Sequence, residues 1–101
     1  MGREHIKPVH PGTYLKELLD ELSVSQYRLS KDISVPAMRI NYVVNGKRPV
    51  TAELALRLGR YFGQNPRYWL NLQSRYDMDI AEDTLSDQVA QQVQPLAVAV
   101  S

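Results

Sequence analysis

Apolar side chains recur along this chain at intervals of three and four residues, the period of helices that bury one face. Leu15, Leu18, Leu19 and Leu22 form the first stripe, with Lys16, Glu17, Asp20 and Glu21 lying off it. Pro11 suits a first helical position, where its missing N–H would be unpaired anyway, so a helix is predicted over 11–22. Ser25 can cap a second helix reaching Ile33, with Leu29 and Ile33 as its apolar pair. A third helix should open near Pro36 and close at Asn45-Gly46, with Ile40, Val43 and Val44 facing inward. Thr51 can cap a fourth, whose buried side is Leu54, Leu58 and either Tyr61 or Phe62, and Gly63 ends it. Asn65 caps a fifth with Pro66 at its first position, and Trp69, Leu72 and Tyr76 should pack inward.

These elements predict an all-α, five-helix, repressor-like helix-turn-helix domain with a C-terminal extension. Gln64 and Asn65 are too few to separate domains, and 101 residues suit one domain. Composition shifts at about Asp79. The stretch AEDTLSDQVAQQVQ can form a helix carrying Leu85, Val89 and Val93, which Pro95 would end; LAVAV after it is too short and uniform to assign. The expected organisation is an N-terminal arm at 1–10, a DNA-binding domain at 11–78 and an acidic tail at 79–101.

Several function classes are disfavoured. Without Cys there is neither a disulfide nor a thiolate metal site. His5 and His10, spaced five apart and both ahead of the first helix, suit neither a metal site nor a Ser-His-Asp arrangement. The five Gly are scattered as helix stops rather than gathered in a phosphate loop. Trp69 and its neighbouring aromatics follow helical spacing, which favours core packing over a ligand pocket. No catalytic residue, metal or cofactor is therefore expected, and no enzyme. No stretch approaches the roughly 18 apolar residues of a membrane span, and MGREHIKPVH lacks the apolar region of a signal peptide. The expectation is a soluble cytoplasmic protein with no membrane partner.

Charge sharpens the picture. Residues 1–76 hold twelve Lys and Arg against six acids, a net of +6, while 77–101 hold five acids and no Lys or Arg, a net of −5. A basic body with an acidic tail points to a polyanionic partner.

The informative segment is SQYRLSKDISVPAMRINYVVNGKR, from Ser25 to Arg48. Two short helices flank a tight turn at Ser34-Val35, and Leu29, Ile33, Val35, Ile40 and Val43 can lock them together. The outer face of the second is then free to enter a major groove. With Ile40 at the centre of the buried side and about 100° per residue, Met38, Asn41, Tyr42 and Asn45 fall on the far side, flanked by Ala37 and Arg39. Asn41 can pair bidentately with adenine, and Arg39 with guanine or a phosphate. Gln26, at a helix N-terminus, suits a phosphate or base contact. Arg28, Lys47 and Arg48 suit phosphate clamps. Tyr42 can contact a base or pack on a neighbouring helix, and Asn45 reads more readily as a helix cap than as a contact.

Gln26, Leu29, Val35, Ile40 and the closing Asn45-Gly46-Lys47 resemble the phage-repressor-like, or XRE, helix-turn-helix family; Ser30 and Ser34 stand where that family usually has Ala and Gly. A closer resemblance, over roughly residues 8–79, is to the HigA/VapI antitoxin group. It rests on HPG at His10–Gly12, SQYRLSK, VP-x-x-RIN at Val35–Asn41, GKRPVTAELALRL and, above all, YFG…P-x-YWLNLQ-x-x-YD at Tyr61–Asp77. The resemblance implies a homodimer on double-stranded operator DNA that represses its own operon. It also implies neutralisation of a HigB-like toxin, a ribosome-dependent mRNA endonuclease, in the bacterial cytoplasm at the nucleoid. A stand-alone regulator without a toxin is the alternative. For the acidic tail three readings stay open: a cover for a basic toxin, a dimer contact through Leu85, Val89 and Val93, or a solvated extension.

Overall fold

The chain enters its first helix through His10, whose Nδ1 accepts the Gly12 N–H at 2.9 Å, with Pro11 at the first helical position. The computed structural model describes residues 7–97; His5 and the end of the LAVAV stretch lie outside them. Among the described residues there are five helices and no strand: α1 Pro11–Leu22, α2 Gln26–Ile33, α3 Ala37–Val44, α4 Ala52–Phe62 and α5 Arg67–Gln92.

Local chemistry sets most of these boundaries. Ser25 Oγ accepts from Arg28 N–H at 3.0 Å and Thr51 Oγ1 from Leu54 N–H at 3.2 Å, each satisfying an orphan donor of a first turn. Asn65 Oδ1 accepts from Arg67 N–H at 3.0 Å, and Pro66 already has helical backbone angles. At the end of α3, Gly46 takes φ +73°. Its N–H reaches Val43 O at 3.0 Å and that of Lys47 reaches Tyr42 O at 2.8 Å, the paired bonds of a Schellman stop.

Leu15, Leu29, Ile40, Val43, Leu54, Leu58 and Trp69 are fully buried and form one core. Helix α3 packs on α1 and α2, α4 on α2 and α5, and α5 also on α1. Gly12 lies against the Val43 carbonyl, where any Cβ would collide, so α1 can approach the backbone of α3 closely. The Trp69 indole N–H is satisfied by Gln64 Oε1 at 2.8 Å.

Three sequence expectations shift. Leu22 is 51% exposed, because the chain turns at Ser23, φ 57°, and Val24 folds back against the core instead. Leu72 and Tyr76 are half-buried, whereas the polar Gln73 beside them is buried. The composition change near Asp79 has no counterpart in the backbone: α5 runs 26 residues without a break, about 39 Å at 1.5 Å per residue. No Gly or Pro lies between Pro66 and Pro95 to interrupt it. Its second half, from Glu82 on, is exposed, including Leu85 and Val89.

Candidate nucleic-acid interface

Helices α2 and α3 are joined by Ser34 and Val35. Ser34 adopts the left-handed conformation, φ 58°, and Val35 turns inward to 4% exposure, its N–H bonded to Ser30 O at 3.0 Å. With Leu29, Ile33, Ile40 and Val43 also buried, the two helices pack as one unit and the opposite side of α3 faces solvent.

That side carries the predicted residues. Ala37, Asn41 and Asn45 are exposed, and Met38 is 66% exposed. Gln26, Arg39 and Tyr42 are half-buried at its edge. Gln26, Asn41 and Asn45 form a polar chain: Asn41 Nδ2 donates to Gln26 Oε1 at 3.4 Å, and Asn45 Nδ2 donates to Asn41 Oδ1 at 3.2 Å and to its backbone carbonyl at 3.0 Å. Asn45 thus serves as the helix cap while it orients Asn41. Side-chain amides offer donors and acceptors to base edges, and here two of them are held in register.

The cations divide. Lys47 and Arg48 follow the glycine stop and are exposed; the Arg48 guanidinium lies 5.4 Å above the Tyr42 ring. Tyr42 thus has a contact with the loop after its own helix. Arg28 sits on the outer side of α2 and pairs with Asp32 at 3.4 Å. Asp32 also accepts the Tyr61 hydroxyl at 2.6 Å, and this hydrogen bond holds the phenol above its usual pKa. Arg39 is drawn to α4, where it meets Glu53 Oε1 at 3.2 Å and Thr51 Oγ1 at 3.0 Å. The Arg39 hydrogen bond, then its charge, keeps Glu53 below the ordinary carboxylate range.

Glu53, Arg57 and Gln73 were not singled out by sequence reasoning. The signal for the first two was an acid in the opening turn of α4 followed four residues later by a cation. Gln73 has a local signal only for its Asp77 contact, four residues on, and none for its bond to Val50.

The arrangement matches known proteins. A helix-turn-helix family model covers residues 15–69. Virulence-associated protein I of Dichelobacter nodosus is 42% identical over 82 residues, 80% of this chain and 76% of that one. Among solved structures, an addiction module antidote protein of the HigA family from Coxiella burnetii has 38% identity and a TM-score of 0.86, over 90% of this chain and 100% of that one. The antitoxin HigA of Pseudomonas aeruginosa, solved with the higBA promoter, has 37% identity and a TM-score of 0.84, over 88% of this chain and 98% of that one. The chain belongs to the HigA/VapI-type helix-turn-helix antitoxin family. This is a family of DNA-binding regulators, not of enzymes.

In this HigA/VapI-type chain the family-like strings are positioning devices. His10, Pro11 and Gly12 cap α1 and seat it on α3. In the WLNLQ-x-x-YD string, Trp69 fills the core and Tyr76 meets the His10 ring edge-on at 4.9 Å. Gln73 Oε1 accepts the Val50 N–H at 2.8 Å, and its Nε2 donates to Asp77 at 2.9 Å. These contacts fix the loop that carries Lys47 and Arg48 toward α4. Among the described residues no helix is long and apolar enough to cross a membrane.

Proposed function

We propose that the protein is a sequence-specific antitoxin that binds an operator in its own promoter, represses that operon and neutralises a HigB-like mRNA endonuclease. The observation that carries this reading is the ordered chain Gln26–Asn41–Asn45 on an exposed helix face beside Ala37 and Met38. Asn41 would read a base edge, Ala37 and Met38 would offer apolar contacts, for instance to a thymine methyl, and Arg39 and Tyr42 would flank them. Gln26, Arg28, Lys47 and Arg48 would hold phosphates and set the register. Residues 11–78 would act as the DNA-binding unit, after an arm at 1–10, and 79–101 as an acidic tail, in the bacterial cytoplasm at the nucleoid.

A homodimer would place two α3 helices about 34 Å apart, one turn of duplex. Support for it comes from α5, where Met78, Leu85 and Val89 expose an apolar face that a single copy leaves uncovered. Sedimentation of Leu85→Glu beside the wild type tests this; a dimer that survives the change excludes that face.

The deciding experiment is a fluorescence-anisotropy titration on the chain's own upstream DNA and on a scrambled duplex at two salt concentrations. Preference for the upstream DNA is expected. Lys47→Ala should weaken both duplexes alike and flatten log K against log salt by about 0.9, the loss of one phosphate. Equal affinity of the wild type for both duplexes would refute the reading. Co-purification with the product of an adjacent short reading frame tests the toxin.

A further inference from the structure

Arg39 leaves α3 at the edge of the exposed face, yet its guanidinium turns away toward α4. Nη1 meets Glu53 Oε1 at 3.2 Å and Nη2 donates to Thr51 Oγ1 at 3.0 Å. Glu53 is held in turn: Arg57 Nε meets its Oε2 at 3.2 Å, and Arg57 Nη1 donates to Ile33 O, at the end of α2, at 2.8 Å. One carboxylate thus ties α3 to α4 and, through Arg57, to the turn between α2 and α3. The Arg39 side chain is 29% exposed and that of Glu53 57%, so the tie lies at the surface and not in the core.

The chemistry of the two ends differs in its consequence for DNA. A free arginine beside a duplex finds a phosphate on any sequence, because phosphates recur regardless of base. A guanidinium with two of its N–H groups already committed can engage only an acceptor that falls along its fixed remaining donors.

We infer that Glu53 is a specificity-determining positioning residue, which restrains Arg39 and so withholds this cation from sequence-independent phosphate contact. The inference rests on the DNA-binding reading above. It assigns selectivity to an acidic side chain outside the base-facing set.

Glu53→Gln, Glu53→Asp, Arg39→Gln and the double variant Glu53→Gln/Arg39→Gln are titrated on upstream and scrambled duplexes between about 50 and 200 mM salt. Glu17→Gln, on the exposed side of α1, serves as the control for net charge. Melting curves confirm that each variant is folded. The expected result for Glu53→Gln is tighter binding to the scrambled duplex, with a salt slope steeper by about 0.9, so that its gain on going to low salt exceeds that of the wild type about 3.5-fold. Its preference for the upstream duplex falls. Glu53→Asp, which keeps the charge but is one methylene too short, shifts in the same direction by less. The added slope disappears in the double variant. An unchanged slope and preference in both Glu53 variants, the same change in Glu17→Gln, or an added slope that persists without Arg39 would each overturn the inference while leaving the DNA-binding reading intact. A wild type that does not prefer its upstream DNA would overturn both.

Discussion

Asn41 Nδ2 donates to Gln26 Oε1 at 3.4 Å, linking the first turn of α2 to the exposed face of α3. With Asn45 on its other side, Asn41 has little freedom left to lose on binding, which favours a bidentate contact. Asn41→Ala should therefore reduce the preference for upstream over scrambled DNA by about 1–3 kcal/mol, the value of one good bidentate pair. Gln26→Ala should reduce it by less. The double variant should fall short of the sum, since part of the Gln26 effect passes through Asn41. Competition titrations measure all three; strictly additive losses would show that the two side chains act separately.

Gln73 is the second device worth testing. It joins α5 to the buried Val50 N–H, a donor that nothing else in the loop satisfies, and holds Asp77 with its other end. Gln73→Ala strands that donor, at about 1–3 kcal/mol. For a chain this size each kcal/mol corresponds to roughly 4–8 °C in melting temperature. Gln73→Glu keeps the acceptor but sets a second carboxylate against Asp77. It should be destabilised at pH 7 and recover relative to the wild type as the pH falls and the pair takes up a proton. Thermal melts of the three proteins at pH 7 and at successively lower pH decide it.

What the sequence made legible follows from the range of the interaction. The caps at Ser25, Thr51 and Asn65 and the Asn45-Gly46 stop are made within a few residues, so local spacing found them. The exposure of Ala37, Met38, Asn41 and Asn45 follows from helical geometry once Ile40 is inside. Gln73 and Val50 are 23 positions apart, and Arg39 and Glu53 are 14, so neither pairing leaves a periodic trace. Leu22 shows the limit of periodicity itself: the stripe continues past the point where Ser23 turns the chain away.

Ser34 occupies a left-handed position, φ 58°, where a side chain is unfavourable by about 1–2 kcal/mol. Ser34→Gly removes that strain, and the greater freedom of Gly in the unfolded chain returns about 0.4–1 kcal/mol of it. The variant should melt a few degrees higher, with the α2–α3 angle and DNA affinity unchanged. A lower melting temperature would mean that the Ser34 side chain contributes something its geometry does not reveal.

His10 makes stability depend on pH. Its Nδ1 accepts the Gly12 N–H, so the neutral ring carries its proton on Nε2, and protonation of Nδ1 would destroy the cap of α1. Burial holds its pKa below the usual 6.5, outweighing the upward pull of Asp77 and of a hydrogen bond to the Arg48 backbone. The unfolded chain then binds the proton more readily than the folded one, so His10 contributes its full stability above about pH 6.5. That contribution is lost as the pH falls through the folded value. The melting temperature should drop between pH 7.5 and 5.5, a window above the titration of ordinary carboxylates. His10→Asn keeps a side-chain cap without the titrating ring, and its melting temperature should be much flatter across the window. The loss of the ring's edge contact with Tyr76 lowers the whole curve but does not tilt it. Equal slopes for wild type and His10→Asn would place the pH dependence elsewhere in the chain.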